Sequence, residues 1–187
     1  MKISIGVSNR HVHLTKEHLE ILFGKGFELT NLKDLHQPTN FVSDSFVTLK
    51  TEKSTIEHVR VLGELRGYTQ VEISKTDAYK LGINPPVRDS GDLQGSSPIT
   101  LIGPCGEVNL SEGCIIATRH IHITPSQMKE FGFEGMKEVS VKIDGEKGGI
   151  IDHVHLKVSE LSYFELHLDT DDANAFLVKE GDIGEIL

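Results

Sequence analysis

The sequence predicts a mainly β protein with short α-helices, built as two pseudo-equivalent copies of one unit by internal duplication. Two self-matches and one pattern carry that expectation. Ile56-Glu57-His58-Val59-Arg60-Val61 falls on Ile151-Asp152-His153-Val154-His155-Leu156 at a spacing of 95, and without a gap Tyr68 meets Tyr163, Asp77 meets Asp172 and Ala78 meets Ala173. Arg10-His11-Val12-His13-Leu14-Thr15 falls on Arg119-His120-Ile121-His122-Ile123-Thr124 at a spacing of 109. The spacings of 109 and 95 differ by 14 residues, which places an insertion in the first copy between Phe27 and Thr55. The pattern is a run of short apolar alternations separated by Gly, Pro, Asp and Ser, the mark of many short strands.

Each element has a local reason. Ile3, Ile5 and Val7 alternate with polar residues, as does Leu110 to Ala117, and each strand runs into a His-x-His. Thr15 and Thr124 are then helix N-caps, with Pro125 at a first helical position where its missing N–H costs nothing. The helices Lys16 to Phe23 and Pro125 to Phe131 are expected to stop at Gly24 and Gly132. Strands are expected over Phe46 to Lys50, His58 to Leu62, Gln70 to Ile73, Val139 to Ile143, His153 to Val158 and Phe164 to Leu168. Ser74 and Asp169 each cap a further short helix, the first with Asp77 three residues on in a capping-box spacing.

Composition narrows the function classes. A chain of 187 residues with 37% hydrophobic and 25% charged side chains can bury a core as one large or two small domains. Its longest apolar runs are four or five residues, too short to span a bilayer, and Met1-Lys2-Ile3-Ser4-Ile5 opens on a strand rather than a signal peptide, so a cytoplasmic protein without membrane association is expected. A net charge of −9, with no Lys/Arg run, argues against nucleic acid, whose binders need a positive stripe to displace counterions. Two cysteines, Cys105 and Cys114, are too few for a disulfide framework or a zinc cage and are expected to be reduced. The surplus residue type is histidine, ten in all, the commonest metal ligand.

On a strand, positions i and i+2 share a face about 6–7 Å apart, so His11 with His13, and His120 with His122, can each present two rings to one ion. A catalytic zinc takes three protein ligands and keeps one position open. The third donor comes from the duplication: Glu72 falls on His167 at the spacing of 95, and both close a strand before a capped helix. The candidate donors are therefore His11, His13, Glu72, His120, His122 and His167, with the division among ions left open by sequence. His153-x-His155 has the same spacing but faces His58-x-Arg60 in the other copy and lies mid-strand, which favours a structural role; His18 and His36 lie outside any motif and read as surface residues. Arg66 meets Leu161, so its charge is present in one copy only and points to a task; a guanidinium fork suits phosphate through two parallel charge-assisted bonds. Arg88, in a turn-rich segment, reads either as a loop ion pair or as an anion clamp, and Arg10 and Arg119 as partners of nearby carboxylates.

At this point the chain resembles the PduL-type phosphate acyltransferases, or phosphotransacylases, of bacterial diol metabolism and acetate formation. The resemblance runs through Gly6-Val7-Ser8-Asn9-Arg10-His11-Val12-His13-Leu14, Val59 to Gly63 with Arg66, Thr69-Gln70-Val71-Glu72-Ile73-Ser74 with Asp77-Ala78, Pro86-Val87-Arg88 with Ser90-Gly91-Asp92, Arg119-His120-Ile121-His122, and Glu165-Leu166-His167-Leu168-Asp169-Thr170-Asp171 with Ala173-Asn174-Ala175. It implies an enzyme that interconverts short-chain acyl-CoA (propanoyl-CoA or acetyl-CoA) plus phosphate with acyl phosphate plus CoA. It further implies two Zn²⁺ ions on His11, His13, Glu72, His120, His122 and His167, and Arg66 as the phosphate-binding catalytic arginine. The implied architecture is two strand-swapped β-barrels with the active site at their junction: residues 1–9 with 118–187, residues 10–23 with 45–117, and a small helical insertion over 24–44. A homodimer is expected because related enzymes associate. Members sent to microcompartments carry an extra amino-terminal helix, whereas this chain starts at its first strand, which implies a free cytoplasmic enzyme. The alternatives are a metal-dependent acyl-CoA hydrolase, a zinc-stabilised binding module without turnover, and a cupin-like oxygenase using His11, His13 and Glu17.

Overall fold

Fourteen strands and four helices succeed one another along residues 1–187 of the computed structural model. The first half runs β1 (Lys2–Ser8), β2 (His11–His13), α1 (Lys16–Phe23), β3 (Asn31–Asp34), β4 (Phe41–Lys50), β5 (Thr55–Gly63), β6 (Gln70–Glu72), α2 (Lys75–Leu81), β7 (Val87–Arg88), β8 (Ser97–Ile102) and β9 (Glu107–Ala117). The second runs β10 (His120–Ile123), α3 (Pro125–Glu130), β11 (Glu138–Ile143), β12 (Gly149–Val158), β13 (Glu165–Asp169), α4 (Thr170–Phe176) and β14 (Ile183–Ile186). The chain divides into two units, one of Met1–Asn9 and Thr118–Leu187, the other of Arg10–Ala117. The protein is mainly β, as its alternating pattern requires.

In the first unit, β1, β13, β10, β12, β11 and β14 close into a six-stranded barrel. The amino-terminal strand completes this ring: β1 lies parallel to β13, with Ile5 opposite Leu166, and antiparallel to β14, with Ile3 opposite Gly184. Inward residues of successive strands fill the interior, among them Ile5, Ile121, Ile123, Val141, Ile151 and Leu166, all buried. Each fully buried aliphatic side chain of this kind contributes about 1.5–3 kcal/mol relative to exposure.

The second unit closes in the same way through β4, β5, β2, β6, β9 and β8, since β8 pairs with both β9 and β4. Closure leaves few unpaired strand edges, and the two strands outside the ring are short: β3 extends it from β4, and β7 runs beside β9. The core of this barrel includes Val12, Leu14, Val61, Val71, Leu101 and Cys114.

The caps follow the sequence. The Thr15 hydroxyl accepts from the His18 N–H, and Thr124 and Gln127 form a reciprocal capping box. Asp169 accepts from the Asp172 N–H. Ser74 accepts from the Asp77 N–H, but only this half of the expected box forms, because the Asp77 carboxylate instead accepts from Arg10 Nε at 2.9 Å. Both helices stop where expected: α1 is C-capped by Gly24, which combines φ +106° with an extended ψ of 152°, and α3 by Phe131 with right-handed backbone, immediately before Gly132 at φ +75°.

Segment 24–44 is not helical. It carries β3, paired antiparallel with the start of β4, and no helix. Gly24, Gly26, Asn31 and Pro38 are poor helix residues, and the four positions of β3 are all exposed, so no apolar stripe exists to anchor a helix. His58 and His153 explain themselves too. Both have left-handed backbone, φ +56° and +55°, where two residues of β5 or β12 oppose one on the neighbouring strand. Histidine tolerates that conformation better than most side chains, so the shared histidine marks a β-bulge.

Candidate metal centres

In the Arg10–Ala117 unit, β2 delivers His11 and His13 to the face it shares with Glu72 of β6. The two strands are antiparallel, with His11 directly opposite Glu72 and His13 opposite Gln70. His11 Nε2 stands 3.4 Å from Glu72 Oε2, and the His11 and His13 rings meet edge to face at 5.1 Å. His13 is buried, and the side chains of His11 and Glu72 are nearly so. The three donor atoms lie within 4.8 Å of one another.

The other unit repeats the arrangement with imidazole in place of carboxylate. On β10 and β13, His120 lies opposite His167 and His122 opposite Glu165. His120 Nδ1 is 2.7 Å from the Thr118 carbonyl oxygen, which only accepts, so the Nδ1–H donates and the lone pair is left on Nε2. That Nε2 stands 3.1 Å from His122 Nε2. Two ring nitrogens facing each other so closely call for a proton or a cation between them. The donors of His120, His122 and His167 also lie within 4.8 Å of one another.

Both sets fit zinc by type and spacing. Two ligands on one tetrahedral zinc with bonds of about 2.0–2.1 Å stand roughly 3.3 Å apart, against 3.1 Å for His120 to His122 and 3.4 Å for His11 to Glu72. An ion held by three protein donors would keep a fourth position for a reacting group. The structure thus gathers the six candidate donors into two groups of three, each within one barrel.

The five arginines separate by partner. Arg10 pairs with Asp77, Arg119 with Asp172 at 3.3 Å, and Arg88 with Asp92 at 3.4 Å within its own turn. Arg60 donates to the Ser43 carbonyl and lies over the Phe46 ring. Arg66 has no carboxylate: its Nη1 donates to Ser90 Oγ at 3.2 Å, while its backbone N–H donates to the Leu14 carbonyl. Ser90 Oγ in turn accepts from Gln70 Nε2 at 2.8 Å, and the same amide donates to Glu72 Oε1.

Burial raises the pKa of Asp172, outweighing the lowering by Arg119, and burial likewise raises that of Asp169 against its helix-capping bonds. A folded-state pKa above the unfolded value stabilises the fold at low pH, and that contribution is lost as pH rises through the folded value. Asp172→Asn should therefore gain stability relative to wild type as metal-free protein is taken from acid to neutral pH. Denaturant midpoints across that range measure it; a difference independent of pH would contradict the assignment.

Other singled-out residues lie apart from the donor sets. His18 is half-buried rather than a free surface residue: Thr69 Oγ1 accepts from the Thr15 N–H and shares a hydrogen bond of 2.7 Å with His18 Nδ1. His153 is exposed and paired with Glu138, and Glu17 is exposed on α1, which removes the cupin-like set. Cys114 is fully buried in the barrel core, and burial pushes its thiol up to about 12, so it is neither a thiolate ligand nor a nucleophile. Cys105 is exposed. A disulfide reagent should modify one thiol per chain in the native protein and two in denaturant; rapid native reaction of both would contradict the burial. Sequence reasoning missed Gln70 and Glu165, although the same spacing of 95 relates them.

The family model for phosphate propanoyltransferase matches residues 4–179. A phosphate propanoyltransferase of Thermotoga maritima is 49% identical over 97% of this chain and 87% of its own length. Those of Lachnoclostridium phytofermentans and Rhodopseudomonas palustris are 46% and 44% identical, each over 99% of this chain and over 87% and 82% of their own. No helix is long and apolar enough to cross a membrane. A match across almost the whole chain, covering both donor sets and Arg66, places the protein in the phosphate propanoyltransferase family.

Proposed function

We propose that the protein exchanges the acyl group of a short-chain acyl-CoA, propanoyl-CoA or acetyl-CoA, between coenzyme A and inorganic phosphate, with one Zn²⁺ on each donor set. The observation that carries this reading is Arg66: a guanidinium without a carboxylate, linked through Ser90 and Gln70 to Glu72 of a donor set. The names of the relatives support the same reaction class. Each barrel also takes in the strand that precedes the other's His-x-His, which supports an internal duplication with exchanged first strands.

Arg66 holds phosphate through paired charge-assisted bonds and so fixes one oxygen for attack. That oxygen bonds to the thioester carbonyl carbon, the carbon–sulfur bond breaks, and sulfur leaves with the electron pair as thiolate. Bound zinc supplies Lewis acidity and a thiolate-stabilising charge. No enzyme nucleophile is needed, consistent with a core-buried Cys114 thiol. Arg88 reaches phosphate or CoA only by opening its ion pair with Asp92, which makes it the secondary anion contact. With a net charge of −9, the chain must reverse its field locally to admit two anionic substrates.

Thiol release from propanoyl-CoA and acetyl-CoA, with and without phosphate, tests this. Release is expected only with phosphate. Release at the same rate in phosphate-free buffer would instead make the protein a hydrolase, and no release from any acyl-CoA would make it a binding module.

A further inference from the structure

The residue two positions before each third metal donor supports that donor, and its type is reversed between the barrels. On β6, Gln70 precedes Glu72; on β13, Glu165 precedes His167. Positions 70 and 165 are related by the spacing of 95 that relates 72 and 167. Side chains two apart on a strand share a face. Both supporting residues are buried, and they occupy the same register, opposite His13 and His122.

Their hydrogen bonds differ in polarity. Glu72 is a carboxylate and only accepts, and it receives the Gln70 amide N–H. His167 has a ring N–H to donate, and Glu165 Oε2 stands 2.9 Å from its Nε2. The Gln70 amide cannot simply turn over to serve a donor. Its Oε1 accepts the Gly91 N–H at 2.7 Å, a group that only donates, and this fixes Nε2 toward Ser90 and Glu72. Burying either polar side chain is costly unless it is fully bonded, so a purely packing role would favour an apolar residue in both places. The Glu165 pair also takes its space from β1. Gly6 lies opposite His167, and a Cβ there would come within 3.0 Å of Glu165 Oε2 and 3.3 Å of the His167 ring. An alanine would press on both members at once.

We infer that Gln70 and Glu165 are positioning residues of the two metal centres, each matched in hydrogen-bond polarity to the donor it orients: amide to carboxylate in one barrel, carboxylate to imidazole in the other. This rests on the reading that the donor sets hold zinc. Partners of this kind fix the rotamer and, for histidine, the tautomer of a ligand, and losing one lowers metal affinity about 10–100-fold.

The test is a pair of double-substitution cycles on the full chain, with zinc affinity measured by competition against a chromophoric chelator. Q70E should weaken zinc binding about 10–100-fold in the wild-type background, where two carboxylates then meet, but strengthen it in E72H, where the other barrel's pair is rebuilt. E165Q should likewise weaken binding in wild type and strengthen it in H167E. The change of sign is the signature, because a packing defect carries the same sign in both backgrounds. Melting of the zinc-free proteins shows which variants fold. Should the Gln70 series fail to fold, the Glu165 series decides alone, with G6A expected to weaken zinc binding beside it. Effects of one sign in both backgrounds would overturn the inference while leaving the metal reading intact. A wild type that binds no zinc would overturn both, and phosphate-dependent thiol release assays the transferase reading separately.

Discussion

Stripping metal from the purified protein is expected to lower phosphate-dependent thiol release by at least about a hundredfold, since a bound cation at a reacting carbonyl or sulfur is worth several kcal/mol and each 1.36 kcal/mol is tenfold in rate. Re-addition of zinc should restore it. His120→Ala isolates one donor set. His120 Nδ1 donates to the Thr118 carbonyl, and its Nε2 faces His122 at 3.1 Å, so the ring has no role in the apolar core and its loss removes a donor rather than packing. Elemental analysis should then find one zinc per chain instead of two, with activity down by a similar factor and the melting temperature of metal-free protein little changed. His11→Ala should do the same to the other set, where Glu72 alone would face His13. Full activity in a protein shown to hold no metal would end the zinc reading, whatever the arrangement of its histidines.

What the sequence made legible follows how local each signal is. The His-x-His pairs could be placed on strands because the side-chain period there is two, and β2 and β10 hold them as that period requires. Glu72 and His167 were reachable by the internal match, which needs no structure. Closure of each ring was not reachable from periodicity: β1 completes a barrel with β13 and β14, whose residues lie more than 150 positions further along, and no local pattern encodes such a pairing. Resemblance alone carried that expectation. Segment 24–44 failed for the opposite reason. Its four-residue strand is exposed at every position, so it offers neither alternation nor a helical stripe. Gln70 and Glu165 escaped because they match in function but not in type; an alignment read for identity passes over an amide facing a carboxylate, where one read for hydrogen-bond polarity stops.

Arg66→Ala is expected to raise the KM for phosphate and to lower kcat/KM for it by about 10–150-fold, which corresponds to losing roughly 1.5–3 kcal/mol of charge-assisted hydrogen bonding. The KM for acyl-CoA should hold. The substitution is a clean one because the loop does not depend on the guanidinium for its anchor. The backbone N–H of residue 66 donates to the Leu14 carbonyl whatever the side chain, and Ser90 keeps its bond from Gln70. The arginine pairs Arg10–Asp77 and Arg119–Asp172 supply the contrast: removing the cation leaves a buried carboxylate in the first and a half-buried one in the second, so their alanine variants should lose stability first. Arg66→Lys separates charge from shape. A lysine keeps the positive charge but presents a single point where the guanidinium presents a fork. If field alone draws phosphate in, Arg66→Lys should behave as wild type. If two parallel bonds must set the angle of the attacking oxygen, kcat falls as well as affinity, and lysine recovers little more than alanine does. The second outcome is expected, because the attacking oxygen must approach the carbonyl carbon along one direction, and one donor fixes a distance where two fix an orientation.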